Sequence, residues 1–512
     1  GTPWPMETNH GRHFDRALSP NHASEWALSG SPSARCIAMG QLHALRRHWL
    51  VWAFFFFANG MLPLVNTIEG SFARSLIHCR GIEHQPAAVE SSPSEPLFSG
   101  SAHCGDRLRV INEGQLLSSF AQSAEGAAKV LTAVAAVVCI DLYGRRTILL
   151  AGLASTAISV LLFVVACVAP SWARVLFVVG QALQGAFPAE LLCEQVAADI
   201  AAALPKAEAL GVFEAQGIVS FLPVVVFGFV ASAIQALEPR DYTPLWCAVL
   251  AANVTLLASA AALFPETGSR RASSAGRGLA SGIAGELRDY ACLFRETRHR
   301  GRLELVLAHV MFAAISSARF GVLIFSYSMS YYHLSAAGVI VRALPVIFIH
   351  TLSMPLVGRI CTALGTRRGF VVVFAYKMLV GGMFVLQPYM CWAWFAQYYL
   401  SSLASGWDAL TKTMSTAIFK ERFNKYMALF TLSKSAAGVM AAPMYALVFD
   451  AKATSYLPRL FPGIVSIVFS GLGAAVVIHP GTGVWRMFCF GLDAMQLEED
   501  ARAECHPGPP KG

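Results

Sequence analysis

The sequence has little charge. Asp, Glu, Lys and Arg make up only 14% of its 512 residues, where a soluble protein carries roughly a quarter. Hydrophobic residues make up 55%, so lipid must be the solvent for a large part of the chain. C-x-x-C pairs are absent, and the 12 cysteines are scattered. Cys139, Cys167, Cys193, Cys247, Cys361 and Cys391 fall in or near apolar runs, which excludes the usual zinc arrangements. Cys79 and Cys104 share one polar segment, where a disulfide and two free thiols are both open readings. Phosphate loops and nucleophile motifs are also missing, so neither an enzyme nor a cofactor is expected. The net charge of +8 has no basic soluble domain to carry it, which excludes nucleic acid as a partner.

What the chain does have is a succession of apolar runs, each long enough to cross a bilayer as a helix. Six fall at 49–68, 116–140, 148–168, 175–198, 210–234 and 244–264. Six more fall at 304–328, 335–357, 369–389, 391–418, 427–449 and 456–479. The expectation is an all-α membrane protein with 12 transmembrane helices in two six-helix halves, 48–264 and 304–479. Residues 1–47 read as a disordered tail, without the apolar core of a signal peptide. Residues 69–112 read as a long polar loop, 265–303 as an arginine-rich linker, and 480–512 as a polar tail.

Basic residues mark one face of this layout. Arg145, Arg146, Lys206, the linker arginines, Arg367, Arg368, Lys420, Arg422 and Lys425 all fall in turns on the same side. The positive-inside rule makes that side cytoplasmic, with both termini on it. The membrane is either the plasma membrane or that of an organelle. The partners expected are lipid and a small molecule, with the proton as a further one, and the chain is expected to work as a monomer.

The turn after the second run reads Asp141-Leu142-Tyr143-Gly144-Arg145-Arg146. Six runs later, 358–368 repeats its outline through Gly358, Arg359, Gly365, Arg367 and Arg368, with Thr362 in place of the acid. Matching turns in two six-helix halves point to an internal duplication, as in many transporters. On these residues the chain resembles the major facilitator superfamily, whose cytoplasmic signature is G-x-x-x-D-x-x-G-R-[RK]. The upstream glycine is missing here, since Ala136 or Val137 stands in its place. The resemblance implies a major facilitator fold, a transport function, and a cytoplasmic latch made by this turn.

Two stretches resemble the proton-coupled folate and haem carrier group, and also the tetracycline-efflux group. They are Ala198-Asp199-Ile200 followed by Gly211-Val212-Phe213-Glu214-Ala215, and Leu263-Phe264-Pro265-Glu266-Thr267. Two departures count against efflux. Phe221-Leu222-Pro223-Val224 lacks the glycine before proline, and Gln181 stands where the antiporter arginine would be.

Ionisable groups in spans cost roughly 2.5–3.5 kcal/mol each on insertion scales, so each needs a reason. Arg319 sits mid-span in the seventh run, on a helix that lines the cavity in the family. It is either an anion contact or half of a structural ion pair. Glu214 is the leading coupling candidate, with a water-facing helix end as its alternative. Glu125 and Lys129 are spaced to neutralise each other on one helix face, and Asp408 and Lys412 repeat the spacing. Glu190 and Glu194 stand one turn apart, where like charges favour one of them holding a proton. Arg342 and Lys434 are expected to line the cavity's sides. Lys377 is expected to be snorkelling or paired, and His309 and His350 to be structural.

The leading function is transport of a small organic solute, leaning anionic, by alternating access. A proton-driven drug exporter and a non-transporting facilitator-like receptor are the alternatives. Because Thr362 carries no charge, the first turn should be the more important latch. Asp141→Ala should impair solute uptake in proteoliposomes more than Thr362→Ala, and equal effects would reduce the turn to a topological signal.

Overall fold

In a bilayer every backbone N–H and C=O must find a partner inside the protein, which leaves helices as the economical solution for apolar runs of this length. The computed structural model follows that logic. It describes residues 48–77, 107–186, 189–202, 242–264, 279–297, 303–346, 366–403 and 423–478, with isolated positions at 46, between 212 and 230, and between 348 and 360. Every regular element among them is helical. In chain order these are α1 (Trp49–Ser75), α2 (Arg107–Tyr143), α3 (Arg145–Val168), α4 (Ala173–Ala186), α5 (Ala189–Ala202), α6 (Thr243–Leu263) and α7 (Leu279–Thr297). They continue as α8 (Leu303–Tyr331), α9 (Ala336–Ala343), α10 (Thr366–Gly382), α11 (Cys391–Leu403), α12 (Phe423–Val448) and α13 (Tyr456–Ile478). Among the described residues, five helices are long and apolar enough to cross a membrane, within α2, α3, α6, α8 and α13.

One expectation needs correction. Residues 69–112 are not all loop: α1 runs on to Ser75 and α2 begins at Arg107. Glu69 and Arg74 are helical and buried against neighbouring helices, which overrides their local polarity, and Glu113 is helical and pairs with Arg109 one turn back at 2.6 Å. The fourth run is described as α4 up to Ala186 and α5 from Ala189, and positions 187 and 188 lie outside the described residues. The linker contains α7, which buries Tyr290 and Leu293 and turns Leu287 outward.

Aromatic side chains set the core of the first group of helices. Phe72 of α1, Phe163 of α3, Phe177 of α4 and Trp246 of α6 are all buried, with ring centroids 5.0–6.1 Å apart. The Phe54–Phe57 tetrad splits its work: Phe54 and Phe55 pack on Phe264, and Phe56 and Phe57 on Phe227. In the second group, α8 packs along both α12 and α13. Ser316 of α8 meets Ser470 at 2.6 Å and Ser466 at 3.2 Å, and the His309 ring nitrogen lies 3.0 Å from the Gly473 carbonyl. His309 therefore has a structural place.

Helix α2 joins the two groups. It packs on α1, α3 and α4 on one side and on α12 and α8 on the other. Small residues let the backbones approach, as interfaces in lipid require. A Cβ on Gly185 would lie 2.1 Å from the Glu125 carbonyl oxygen, and one on Gly126 would lie 2.9 Å from the Val439 side chain. Near the start of α2, the Asn112 side-chain oxygen accepts from Ala451 N–H at 2.9 Å. One turn further, Gln115 donates to the Val322 carbonyl at 3.1 Å and accepts from Ser326. Ser123 donates to the Val439 carbonyl at 3.2 Å.

Gly185→Ala should therefore destabilise the protein by about 1–3 kcal/mol, the usual cost of forcing extra volume into a packed site. Gly438→Ala, with open space around the added methyl, should be neutral. Thermal unfolding in detergent distinguishes them; equal melting temperatures would show that α2 and α4 separate freely.

Candidate functional site

Arg319 lies just past the middle of α8 and is 1% exposed. Its surroundings come from three helices. Phe320, the next residue on the same helix, is buried, with its ring centroid 4.6 Å from the guanidinium carbon. Trp394 of α11 lies 5.3 Å away and is stacked by Tyr327 at 4.3 Å and 12°. Gln397, one turn on from Trp394, accepts a hydrogen bond from Arg319. Tyr445, Tyr327 and Tyr332 are close enough to feel the charge.

The orientation of Gln397 follows from its other bonds. Helix α10 ends at Gly382 and passes into a 3-10 turn at Met383–Leu386, which leaves carbonyls of its last turn without helical partners. The Gln397 amide nitrogen donates to two of them, Val380 at 2.8 Å and Gly381 at 2.9 Å. Its oxygen is thereby turned toward Arg319, and toward Gln387, which also donates to it. A neutral amide thus holds the guanidinium in place. No carboxylate among the described residues lies within ion-pair distance of Arg319, and its Nε and Nη1 make no hydrogen bond. The pairing alternative for Arg319 finds no acid partner there.

The other expected residues divide sharply. Lys129 reaches Glu125 at 2.7 Å, a one-turn ion pair in α2. Glu194 of α5 is buried and accepts from Thr431 of α12, so it ties the two groups of helices together. Glu190 is helical, and its side chain lies outside the described residues. Glu214, Asp408 and Lys412 also lie outside them, as do Cys79, Cys104, Gly358, Arg359, Thr362 and Gly365. Arg367 and Arg368 begin α10, their side chains undescribed. Arg342 is exposed and donates back to the Gly338 carbonyl at 3.1 Å. Lys434 sits over the Phe430 ring at 4.8 Å. Asn253 of α6 is buried and donates to the Val249 carbonyl within its own helix at 3.0 Å.

The Asp141 turn is built around Gly144, whose φ of 87° is a left-handed conformation that favours glycine. Its reversal sends Arg145 to Asp199 of α5 in an ion pair and Arg146 to the Ala261 carbonyl of α6. The Asp141 side chain itself is not described. Lys425, at the start of α12, pairs with Asp289 and with Glu286 at 3.3 Å, both on α7. The Asp199 and Glu286/Asp289 partners escaped sequence reasoning because they stand 54 and 136 or more residues from their cations. Glu69 escaped it too, placed in a loop although α1 carries it into the interior at 1% exposure.

A sequence profile described as Major Facilitator Superfamily matches residues 111–443. The chain belongs to the major facilitator superfamily. Solved structures agree on the fold. One, the human organic anion transporter MFSD10 (TETRAN), superposes with a TM-score of 0.54 at 16% identity, covering 83% of this chain and 96% of its own. Another, the nucleoside transporter NupG solved as a point mutant, gives a TM-score of 0.58 at 10% identity over 83% and 98%. No curated protein sequence matches significantly. Membership of this superfamily points to a membrane transporter rather than an enzyme.

Removing the Gln397 amide should expose how much the facilitator core relies on it. Gln397→Leu leaves the guanidinium and two carbonyls unpaired, so it should cost about 1–3 kcal/mol or more for the charged group. Thermal unfolding of the purified protein measures this, and an unchanged melting temperature would show that Arg319 is held by the aromatic rings alone.

Proposed function

We propose that this facilitator carries a small organic anion across the membrane by alternating access, with Arg319 as the anion contact. The observation behind this reading is the buried guanidinium with two unused N–H groups and no acid partner among the described residues. A buried ion without a counterion costs several kcal/mol, and cation–π contact returns only about 0.5–2 kcal/mol of that. An anion entering the site supplies the missing charge. The planar fork suits a carboxylate, and Phe320, Trp394 and Tyr327 offer ring faces for an aromatic or otherwise flat body. The organic anion transporter among the structural neighbours is consistent with this class, while the nucleoside transporter shows that the same fold takes neutral solutes.

Alternating access finds support in contacts between the two groups of helices at opposite ends of α2. Asn112 and Gln115 tie its start to the residues after α12 and to α8. Glu194 and Thr431 tie α5 to α12 nearer the Arg145 turn. A transporter that rocks one group against the other must break these in turn. Proton coupling belongs to the same reading, with Glu214, Glu190 and Glu194 as the acids first considered for it.

The test is uptake of a panel of labelled carboxylates, benzoate among them, into proteoliposomes with and without a pH gradient. Wild type should accumulate at least one of them, and Arg319→Ala should fall to the background of empty vesicles while remaining monodisperse. Unchanged uptake by Arg319→Ala would overturn the anion contact, and flux independent of the gradient would remove the proton.

A further inference from the structure

The first group of helices holds a buried acid that the anion site does not use. Glu69 of α1 is 1% exposed. Ser118 of α2 donates to its Oε1 at 3.1 Å, and Gln122, one turn further on, lies beside the same carboxyl. Among the described residues Oε2 has no hydrogen-bond partner. A buried carboxylate with one oxygen unpaired forfeits hydration that nothing replaces.

The charged groups around Glu69 do not neutralise it directly. On α2, Glu125 is near enough to repel it, and that acid is already held by Lys129 at 2.7 Å. On α1 itself, Arg74 is the next cation, five residues on and packed against Gly114 of α2. Helix α4 contributes Arg174, which reaches the Leu76 carbonyl at 3.4 Å, and the uncharged Gln181. On α5, Glu194 is bonded to Thr431 and Asp199 is paired with Arg145. At the N-terminal edge of α6 the titratable neighbour is Tyr242, whose ring packs at a tilt against Phe72 with centroids 5.4 Å apart.

Glu69 is also wired toward Arg319. Ser118 adjoins Ser119, whose hydroxyl accepts from Gln115 at 3.2 Å. Gln115 bonds the Val322 carbonyl and Ser326 of α8, and Val322 lies one turn from Arg319. One helix, α2, thus touches the lone acid on one side and the arginine's helix on the other.

We propose that Glu69 is a proton-carrying site of the transport cycle, an inference that rests on the alternating-access reading above. In the closed interior Oε2 holds a proton taken from water on one side of the membrane. When the helices part and hydrate the carboxyl, the O–H bond breaks and the proton leaves to the opposite side. No electrons move. One proton on Glu69 and one monovalent anion at Arg319 together cross without net charge, which spares the low-dielectric interior an uncompensated ion.

The experiment uses the full chain in lipid nanodiscs and infrared difference spectra between alkaline and acidic buffer. Wild type should show the carbonyl stretch of a buried protonated carboxyl appearing on acidification. Glu69→Gln should lose that band and Glu125→Gln should keep it. In proteoliposomes, Glu69→Gln should also bring the ratio of benzoate-panel uptake with and without a pH gradient down to one. If Glu69→Gln does not yield folded protein, Glu69→Asp must shift the band. A band unchanged in the Glu69 variants, or absent from wild type, overturns the proposal. Because the infrared readout needs no substrate, it stands apart from the Arg319→Ala uptake test: loss of the anion reading would leave the band in place.

Discussion

Everything in the second group of helices is arranged around a cation that has no counterion among the described residues. Arg319 is fully enclosed, braced by one amide and two ring faces. That brace is itself supported. Gln397 is oriented by carbonyls freed where α10 changes from α-helix to 3-10 turn, and Trp394 is oriented by Tyr327. Tyr445 donates to the Ile315 carbonyl at 3.1 Å, one turn before the arginine. The result is a guanidinium fixed in direction but not neutralised. Such a site is expensive to keep empty, and that expense is what makes ligand charge worth having.

The arginine alone would make a binding protein. What makes it a plausible carrier is α2, a long helix closely packed on both sides through glycine contacts. It bonds to the second group through Asn112, Gln115 and Ser123, while its far end leads into the Gly144 reversal. Helix α7 adds a third tie, pairing with Lys425 while Gly282 sits against Val138 of α2. These links are mostly single hydrogen bonds and exposed ion pairs, each worth on the order of 1 kcal/mol, so they can be exchanged during a cycle. The aromatic cores within each group are far more costly to disrupt, which favours movement between groups over movement within them.

Sequence reasoning reached the architecture because lipid imposes a simple rule: apolar runs become helices, and charged glycine turns end them. It reached Arg319 for the same reason, since a guanidinium in an apolar run has nowhere else to be. The i, i+4 spacing placed Glu125 and Lys129 on one face, and they meet at 2.7 Å. What it missed depended on contacts distant in the chain. Asp199 as the partner of Arg145, Thr431 as the partner of Glu194 and the α7 acids beneath Lys425 are set by helix packing, which no local pattern reports. Glu69 was lost for a different reason. The hydropathy of α1 falls before the helix does, so a buried acid near its end read as the start of a loop. The extended α1 is a place where tertiary packing decided against local composition.

The central claim is that a charge-deficient arginine site takes an anion. Its most direct test is the melting temperature of the purified protein against each member of a carboxylate panel and its neutral amide analogue. A ligand that binds only the folded state raises stability with concentration. The account predicts that at least one carboxylate stabilises wild type, that its amide does not, and that Arg319→Gln abolishes the effect. Equal stabilisation of wild type and Arg319→Gln, or by the amide as by the acid, would contradict it.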